Sequence, residues 1–301
     1  MWKTRRRTGW IDWGVPCGRE YRLRLLERPG LTLDDAELGR LVGDLRSVSD
    51  RCVPGGPLRY GVLSGDRERL ADAILAVAYR RDGGEVIGFS AMVGLEILLA
   101  DRPTRVVHAG LVVVDPSLRS RGLCVALTAA PGVLAFLRNG LAPLWFTNVT
   151  QVPAVAGVFT KALADVFPTP DRRSAPSSRH AALVGEVMRH HRAAFGVGDE
   201  ADFDERSFVI RNAYTGGSDF LKKSFAQCSK HRDERFNAWL GEELDYERGD
   251  DVIQAGRMSL VQWGRLLTRL ARSAFLSARR PTTRAPVRAR PELGPARAVR
   301  S

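Results

Sequence analysis

LVVVDPSLRSRGLCVAL, residues 111–127, is the stretch that decides the fold. A run of β-branched residues stops at Asp115-Pro116, a basic loop with one glycine follows, and an apolar run with helical spacing comes next. This order predicts a strand, a loop and a helix. The backbone N–H groups of such a loop point at one spot, and the helix N-terminus adds partial positive charge, so the pair suits a phosphate or pyrophosphate. Arg119 and Arg121 strengthen this interpretation, and an ordinary basic loop without a ligand is the alternative.

The loop resembles the cofactor-binding motif of the GNAT acyltransferases, which reads Arg/Gln-x-x-Gly-x-Gly/Ala and follows a strand. This chain has Arg119-Ser120-Arg121-Gly122-Leu123-Cys124 at that place. The resemblance implies that N–H groups from about Arg121 to Val125 hold the pyrophosphate of acetyl-CoA, the acyl donor. It also implies that the preceding strand pairs with the pantetheine arm. Cys124 departs from the family pattern, because any Cβ there crowds a backbone that must approach phosphate closely.

The net charge of +12 is concentrated at the two ends of the 301-residue chain. Residues 1–12 carry four basic side chains against one acidic, and residues 277–301 carry seven arginines against one glutamate. Only +3 is left for the residues between them. Such tails can contact nucleic acid or an anionic membrane weakly through charge alone, and solvated ends without a partner are the other interpretation.

The four cysteines lie far apart and form neither a CxxC pair nor a cluster with metal spacing, so we expect neither a disulfide framework nor a bound metal. The basic N-terminus is not followed by an apolar signal segment, and the chain has no apolar run of about 18 residues. A soluble, cytoplasmic protein is expected.

Hydrophobic periodicity orders the rest of the chain. It predicts a strand over 21–25, a helix to about 48, a loop or broken helix over 52–66, a three-stranded antiparallel meander over 73–79, 86–98 and 105–114, a helix to 139, a strand over 143–149 and a helix over 152–167. This is the GNAT element order as far as its fourth helix. The family needs two further strands, which we place at 207–214 and 251–257, with helices over 178–195 and 220–240.

The predicted fold is α/β: a GNAT-like mixed, mostly antiparallel central sheet flanked by helices, with an enlarged C-terminal region. The predicted parts are a basic lead over 1–18, a GNAT-like acyltransferase domain over 19–258 with its core in 19–170 and an expanded part in 171–258, an amphipathic helix over 259–278, and a disordered Arg/Pro-rich tail over 279–301.

Acyl transfer from a thioester to an amine needs a deprotonated amine. Some histone-type members of the family use a glutamate on the strand before the loop, and His108 stands at that place, eleven residues ahead of Arg119. A histidine is a competent base near neutral pH. Glu96 on the preceding strand is the alternative base. A histidine hydrogen-bonded in the core and a solvent-facing glutamate are the structural alternatives for these two residues.

The departing thiolate needs a proton, which many family members take from a tyrosine on the fourth helix. Alignment places Phe159 there, and phenylalanine has no hydroxyl. Thr160, Ser207 or water could donate instead, the thiolate could leave unassisted, or catalysis has been lost. Asn148 on the strand beside the cofactor strand could contact pantetheine or the acceptor, or could simply satisfy a strand end. The residues predicted to contact the acyl donor are Val112, Val113, Val114, Arg119, Ser120, Arg121, Gly122, Leu123, Cys124, Val125, Asn148 and Phe159.

The sequence therefore predicts an acyl-CoA-dependent N-acyltransferase, transferring most simply an acetyl group from acetyl-CoA to a primary amine by direct attack. The amine belongs to a small molecule or a protein, and the sequence does not distinguish them. Two acidic groups, one of them Asp245, Glu247, Asp250 and Asp251, could receive a cationic acceptor or form hydrated loops. A GNAT-fold protein that binds CoA or a partner without catalysis is the alternative, and a nucleic-acid or membrane-associated protein using the basic tails is a third.

Overall fold

The computed structural model describes residues 10–17, 20–53, 55–118, 123–172, 175–215, 218–265 and 268. The chain clusters into two units whose boundary falls between Trp263 and Gly264, and the fold belongs to the first. The predicted pyrophosphate loop, Arg119 to Gly122, lies outside the described residues, as do both basic ends.

Ten strands form one mixed sheet in the order β1-β2-β3-β4-β5-β6-β10-β9-β8, with β7 also paired to β10. The strands are β1 (Asp12–Cys17), β2 (Tyr21–Glu27), β3 (Ala73–Arg80), β4 (Val86–Leu99), β5 (Arg102–Val114), β6 (Leu144–Thr150), β7 (Ala164–Phe167), β8 (Asp202–Asp204), β9 (Val209–Arg211) and β10 (Asp251–Met258). The β5–β6 pair is parallel and the other pairs are antiparallel.

Helices flank the sheet on both faces. They are α1 (Pro29–Thr32), α2 (Asp35–Cys52), α3 (Arg67–Ala71), α4 (Leu123–Arg138), α5 (Pro153–Ala162), α6 (Ser178–His191) and α7 (Glu234–Glu243). Local chemistry sets their starts: Asp34 and Glu37 form a capping box at α2, and Ser177 accepts the His180 N–H at α6.

Alternation along β4 assigns the two faces. Ala91 packs in the cluster that contains α2, and Leu95 packs in the cluster that contains α6, so α2 and α6 cover the same face. Met92 points the other way, into the cluster formed with α4 and α5. The sheet is thus the middle layer of three, which confirms the predicted mixed, mostly antiparallel sheet flanked by helices.

The core elements follow the prediction closely. The strands of the meander, the helix after the loop, and the strand predicted over 251–257 are all present, each within a few residues of its predicted bounds. The helix predicted over 178–195 ends at His191 and continues as a 3-10 turn to Phe195.

Three predictions at the element level were wrong. The helix over 152–167 ends at Ala162, because Leu163 adopts an extended conformation (φ −115, ψ 164) and the chain continues as β7. The helix over 220–240 is two 3-10 turns followed by α7, since Asp233 caps a later start. The strand over 207–214 is reduced to β9.

Three strands were not predicted: β7 falls in the predicted helix over 152–167, β8 in a stretch without a predicted strand, and β1 in the predicted lead. Asp12 to Cys17, inside the predicted lead, pairs along its whole length with β2 as an edge strand. Of the predicted amphipathic helix, Leu260 to Arg265 are helical and the remainder lies mostly outside the described residues. Among the helices that the structure describes, none is both long and apolar enough to span a membrane.

Candidate functional site

The two parallel strands separate where the site lies. β5 and β6 pair from Val106 with Trp145 to Ala109 with Asn148, and no further. A bulge follows in β5: Met92 of β4 pairs with Ala109, whereas Ser90 pairs with Val112. The outer part of β5 stays paired to β4, while β6 turns away with β10. The last five residues of β5 therefore have no strand partner on the β6 side among the described elements.

A cavity of about 290 Å³ occupies this wedge. Its walls come from β5 and β6, from residues 60–63, from the end of the 3-10 turn at Phe195, from residues 213–214 and 218–223, and from the start of β10. The enlarged C-terminal region thus closes a space that the core sheet opens.

An aspartic acid and a tyrosine are hydrogen-bonded at the wall of this cavity. The Tyr214 hydroxyl donates to Asp251 Oδ1 at 2.9 Å. Asp251 is only 5% exposed. Its burial raises the pKa of the carboxyl to about 8, with the charge of Asp250 adding to the effect and the Tyr214 hydrogen bond opposing it. Asp251 can therefore both hold and release a proton near neutral pH.

Gln151 fixes the position of this pair. Its Nε2 donates to the Tyr214 hydroxyl and, at 3.0 Å, to the Leu221 carbonyl. Its Oε1 accepts the Lys223 backbone N–H at 3.2 Å. One buried amide thus holds Tyr214, Leu221 and Lys223 against the end of β6.

A second tyrosine reaches the cavity from the other side. The Tyr60 ring packs on Gly196, where an added Cβ would lie 2.9 Å from Tyr60 Cδ2. Burial and the charge of Asp251 both raise the pKa of Tyr60, so its hydroxyl remains protonated and lies near the Asp251 carboxyl. Among the described residues, none forms a hydrogen bond with that hydroxyl.

His108 lines the cavity as a buried, neutral ring. Its Nδ1 lies 3.1 Å from Thr147 Oγ1, and its ring stacks on Phe195 with centroids 4.6 Å apart. Burial lowers the pKa of His108 to about 3. A group with that pKa is a much weaker base at neutral pH than the free histidine that the sequence suggested. Its role as base stays a prediction. Glu96, the alternative base, is exposed and does not line the cavity.

Asn148 carries an unused donor. The residue is 5% exposed and lines the cavity, and its Nδ2 has no hydrogen-bond partner among the described residues. A buried amide N–H₂ without a partner costs free energy, so a ligand with an acceptor group fits this position.

Of the other residues predicted to contact the acyl donor, some line the cavity and others do not. Val112, Val113 and Val114 line the cavity. Leu123 is buried against Leu127, whereas Cys124 and Val125 are exposed in the first turn of α4. Arg119, Ser120, Arg121 and Gly122 lie outside the described residues.

Phe159 lies in the apolar core with Phe146 and Val166 and does not line the cavity. The two side chains suggested as proton donors, those of Thr160 and Ser207, do not line the cavity either. Thr160 Oγ1 donates to the Ala156 carbonyl at 2.9 Å, and Ser207 lies in the turn between β8 and β9.

Tyr60 and Tyr214 were missed from the sequence, and Asp251 was noted only within an acidic group. Its neighbour Asp250 is structural, since it pairs with Arg248 at 2.6 Å. The available signal was a charged residue directly before the apolar run Val252-Ile253, which is an unusual start for a buried strand.

Comparison with known proteins identified no matching family model and no matching curated protein. Solved structures do resemble the chain over part of its length. A Trypanosoma brucei acetyltransferase is 22% identical over 39% of this chain and 76% of its own, with a TM-score of 0.24. The aminoglycoside N-acetyltransferase AAC(6')-Iy in complex with CoA is 21% identical over 41% of this chain and 74% of its own, with a TM-score of 0.28. Arabidopsis thaliana NAA60 in complex with a bisubstrate analogue is 15% identical over 46% of this chain and 82% of its own, with a TM-score of 0.28.

Proposed function

We propose that the protein is an acyl-CoA-dependent N-acyltransferase that transfers an acyl group, most simply acetyl, to a primary amine. The observation that carries the proposal is a buried carboxyl with a pKa of about 8, Asp251, in the wall of a cavity between two parallel strands that separate. A titratable group tuned to the working pH in a cavity is what proton transfer at an active site requires.

The wedge fits an acyl-CoA. The edge of β5 beyond Ala109, which has no strand partner among the described elements, offers backbone groups to an extended amide-bearing arm, as a sheet edge does to an added strand. The unpartnered Nδ2 of Asn148 adds a side-chain donor for a carbonyl oxygen. When bound there, an acyl-CoA supplies an activated acyl carbon. The predicted pyrophosphate contacts of the loop at Arg119 to Gly122 remain part of the proposal.

Asp251 is the proposed base. At pH 7 it is mostly protonated, and above its pKa of about 8 the carboxylate form predominates and accepts a proton from the amine. Tyr214 donates to one carboxylate oxygen, which orients the group and leaves the other oxygen for the acceptor. His108 stays the alternative base.

Tyr60 is the proposed proton donor, because Phe159 stands where family members have a tyrosine and has no hydroxyl. Its hydroxyl keeps its proton because burial and the nearby carboxyl raise its pKa. It lines the same cavity as Asp251, and the described residues leave that hydroxyl without a hydrogen bond. Proton acceptance and proton donation thus belong to two side chains from different parts of the chain.

The test is calorimetric titration with acetyl-CoA, followed by a thiol-release assay with a panel of amines. Saturable binding and amine-dependent thiol release are expected from the wild type. Absence of acetyl-CoA binding by the folded protein would contradict the proposal. Binding without thiol release on any amine would support the alternative of a non-catalytic CoA-binding protein. The third possibility, contact with nucleic acid or membrane, rests on the basic tails, which lie outside the described residues.

A further inference from the structure

One acidic and one basic residue line the cavity. Asp251 is buried, and Lys223 is exposed. Among the described residues that line the cavity, these two have the side chains that can be charged, Asp251 in the carboxylate form that predominates above its pKa of about 8, because burial keeps His108 neutral. The lining is otherwise apolar or neutral and polar.

A short chain of hydrogen bonds connects the Asp251 carboxyl to the backbone of Lys223. Asp251 accepts from Tyr214 at 2.9 Å, Tyr214 accepts from Gln151, and Gln151 accepts the Lys223 N–H at 3.2 Å. The backbone of Lys223 is therefore only three hydrogen bonds from the carboxyl. Burial raises the pKa of the Cys228 thiol, while the charges of Lys223 and Lys230 lower it and that of Asp251 raises it, so both cavity residues lie near this thiol.

The volume limits the size of an occupant. The cavity volume of about 290 Å³ lies at the lower end of the range for ligand pockets, about 300 to 1,000 Å³. An acyl group and an amine of a few carbon atoms fill that space. A molecule of several sugar rings exceeds it, and so does a folded protein segment, unless only its tip enters.

We propose that the acceptor is a small zwitterionic amine of the amino-acid type, with its amine toward Asp251 and its carboxylate toward Lys223. This inference rests on the proposed function. In the reaction the amine nitrogen forms a bond to the acyl carbon as the carbon–sulfur bond breaks. Before the attack, one proton of the acceptor's ammonium group passes to the Asp251 carboxylate. After the attack, the nitrogen loses a second proton, which replaces the proton that Tyr60 gives to the departing thiolate, and no oxidant or reductant is involved.

The proposed orientation of the acceptor follows from the difference in burial between Asp251 and Lys223. The amine must reach the acyl carbon inside the wedge, and Asp251 is the inner group. A carboxylate at the mouth keeps part of its hydration and meets an ammonium group that is itself exposed, so neither charge is fully desolvated.

The experiment measures kcat/KM from thiol release with acetyl-CoA, using amino acids paired with their amides, which keep the amine and lose the carboxylate. The wild type is expected to favour the acids at least tenfold. Lys223→Ala is expected to bring each acid and its amide within about threefold of each other. The matched control is Lys222→Ala, a neighbouring lysine outside the cavity lining, which is expected to keep the wild-type preference.

The outcomes separate this inference from the proposed function. Turnover of amides, simple amines or peptides as efficient as that of the acids, or an unchanged preference in Lys223→Ala, would overturn the zwitterionic acceptor and leave the acyltransferase standing. Acetyl-CoA binding without thiol release on any amine would overturn both. A folded Lys223→Ala variant is confirmed by its unchanged affinity for acetyl-CoA.

Discussion

The Tyr214 hydroxyl donates a 2.9 Å hydrogen bond to Asp251, at the point where β10 begins beside β6. A single hydroxyl donor does not compensate a carboxylate for the loss of water, so the carboxyl keeps a pKa of about 8. A second strong donor, such as an arginine, would hold it ionised and remove its use in proton transfer. The incomplete stabilisation of Asp251 is therefore what makes it suitable as a base.

Replacing Asp251 with Asn is expected to lower kcat at least about 100-fold, the usual contribution of a positioned base. The amide keeps the size of the side chain but does not accept a proton from the amine. Affinity for acetyl-CoA is expected to change less than about threefold, because the variant retains the β5 edge and Asn148. Steady-state thiol release and calorimetry measure the two effects. Asp202→Asn, an exposed aspartate on β8, is the control and should be unaffected. A variant Asp251→Asn with normal kcat would assign the base elsewhere, with His108 as the next candidate.

Asp251 also imposes a pH dependence on stability. Its pKa is raised from 3.8 to about 8 on folding, so between these values the folded state holds a proton that the unfolded state has released. This contribution is fully present below pH 3.8 and is lost as pH rises through 8, on the order of a few kcal/mol in total. Relative to Asp251→Asn, the wild type is expected to lose unfolding free energy between pH 5 and pH 9. Urea unfolding of both proteins across this range measures the difference, and parallel curves would show that the carboxyl is not desolvated.

His108 contributes a pH dependence of stability with the opposite sign. Its pKa falls from 6.5 to about 3 on folding, so the unfolded state binds a proton that the folded state excludes. The contribution is present above pH 6.5 and is lost as pH falls toward 3, again on the order of a few kcal/mol. Wild type is expected to lose stability between pH 6.5 and pH 4 more steeply than His108→Gln. Thermal unfolding across that range is the measurement. An NMR titration with a midpoint near 6.5 would contradict the burial of the ring and restore His108 as the stronger base.

The sequence predicted the elements whose signal is local. The meander has an alternating pattern between turn residues, and the strand, loop and helix at 111–127 follow one another without interruption. β1 was missed because Asp12 to Cys17 contains glycine and proline and is mostly exposed, so it lacks an alternating pattern. The site was harder for a different reason. Tyr60, Tyr214 and Asp251 come from three separate segments, and only tertiary packing brings them to one cavity. No spacing rule connects them.

Phe159 provides the last test, because sequence alignment and structure disagree about it. Alignment places it where a proton-donating tyrosine would stand, whereas the structure buries it, 8% exposed, among apolar side chains. Phe159→Tyr is therefore expected to leave kcat unchanged and to lower the free energy of unfolding by about 1–3 kcal/mol, the cost of burying an unpaired hydroxyl. Tyr60→Phe is expected to do the reverse: kcat falls at least about tenfold, while stability changes by less than about 1 kcal/mol, because the described residues give the hydroxyl no hydrogen bond to lose. Kinetics and urea unfolding of both variants decide between the two positions. A rise in kcat for Phe159→Tyr would mean that α5 supplies the proton, and would remove Tyr60 from that role.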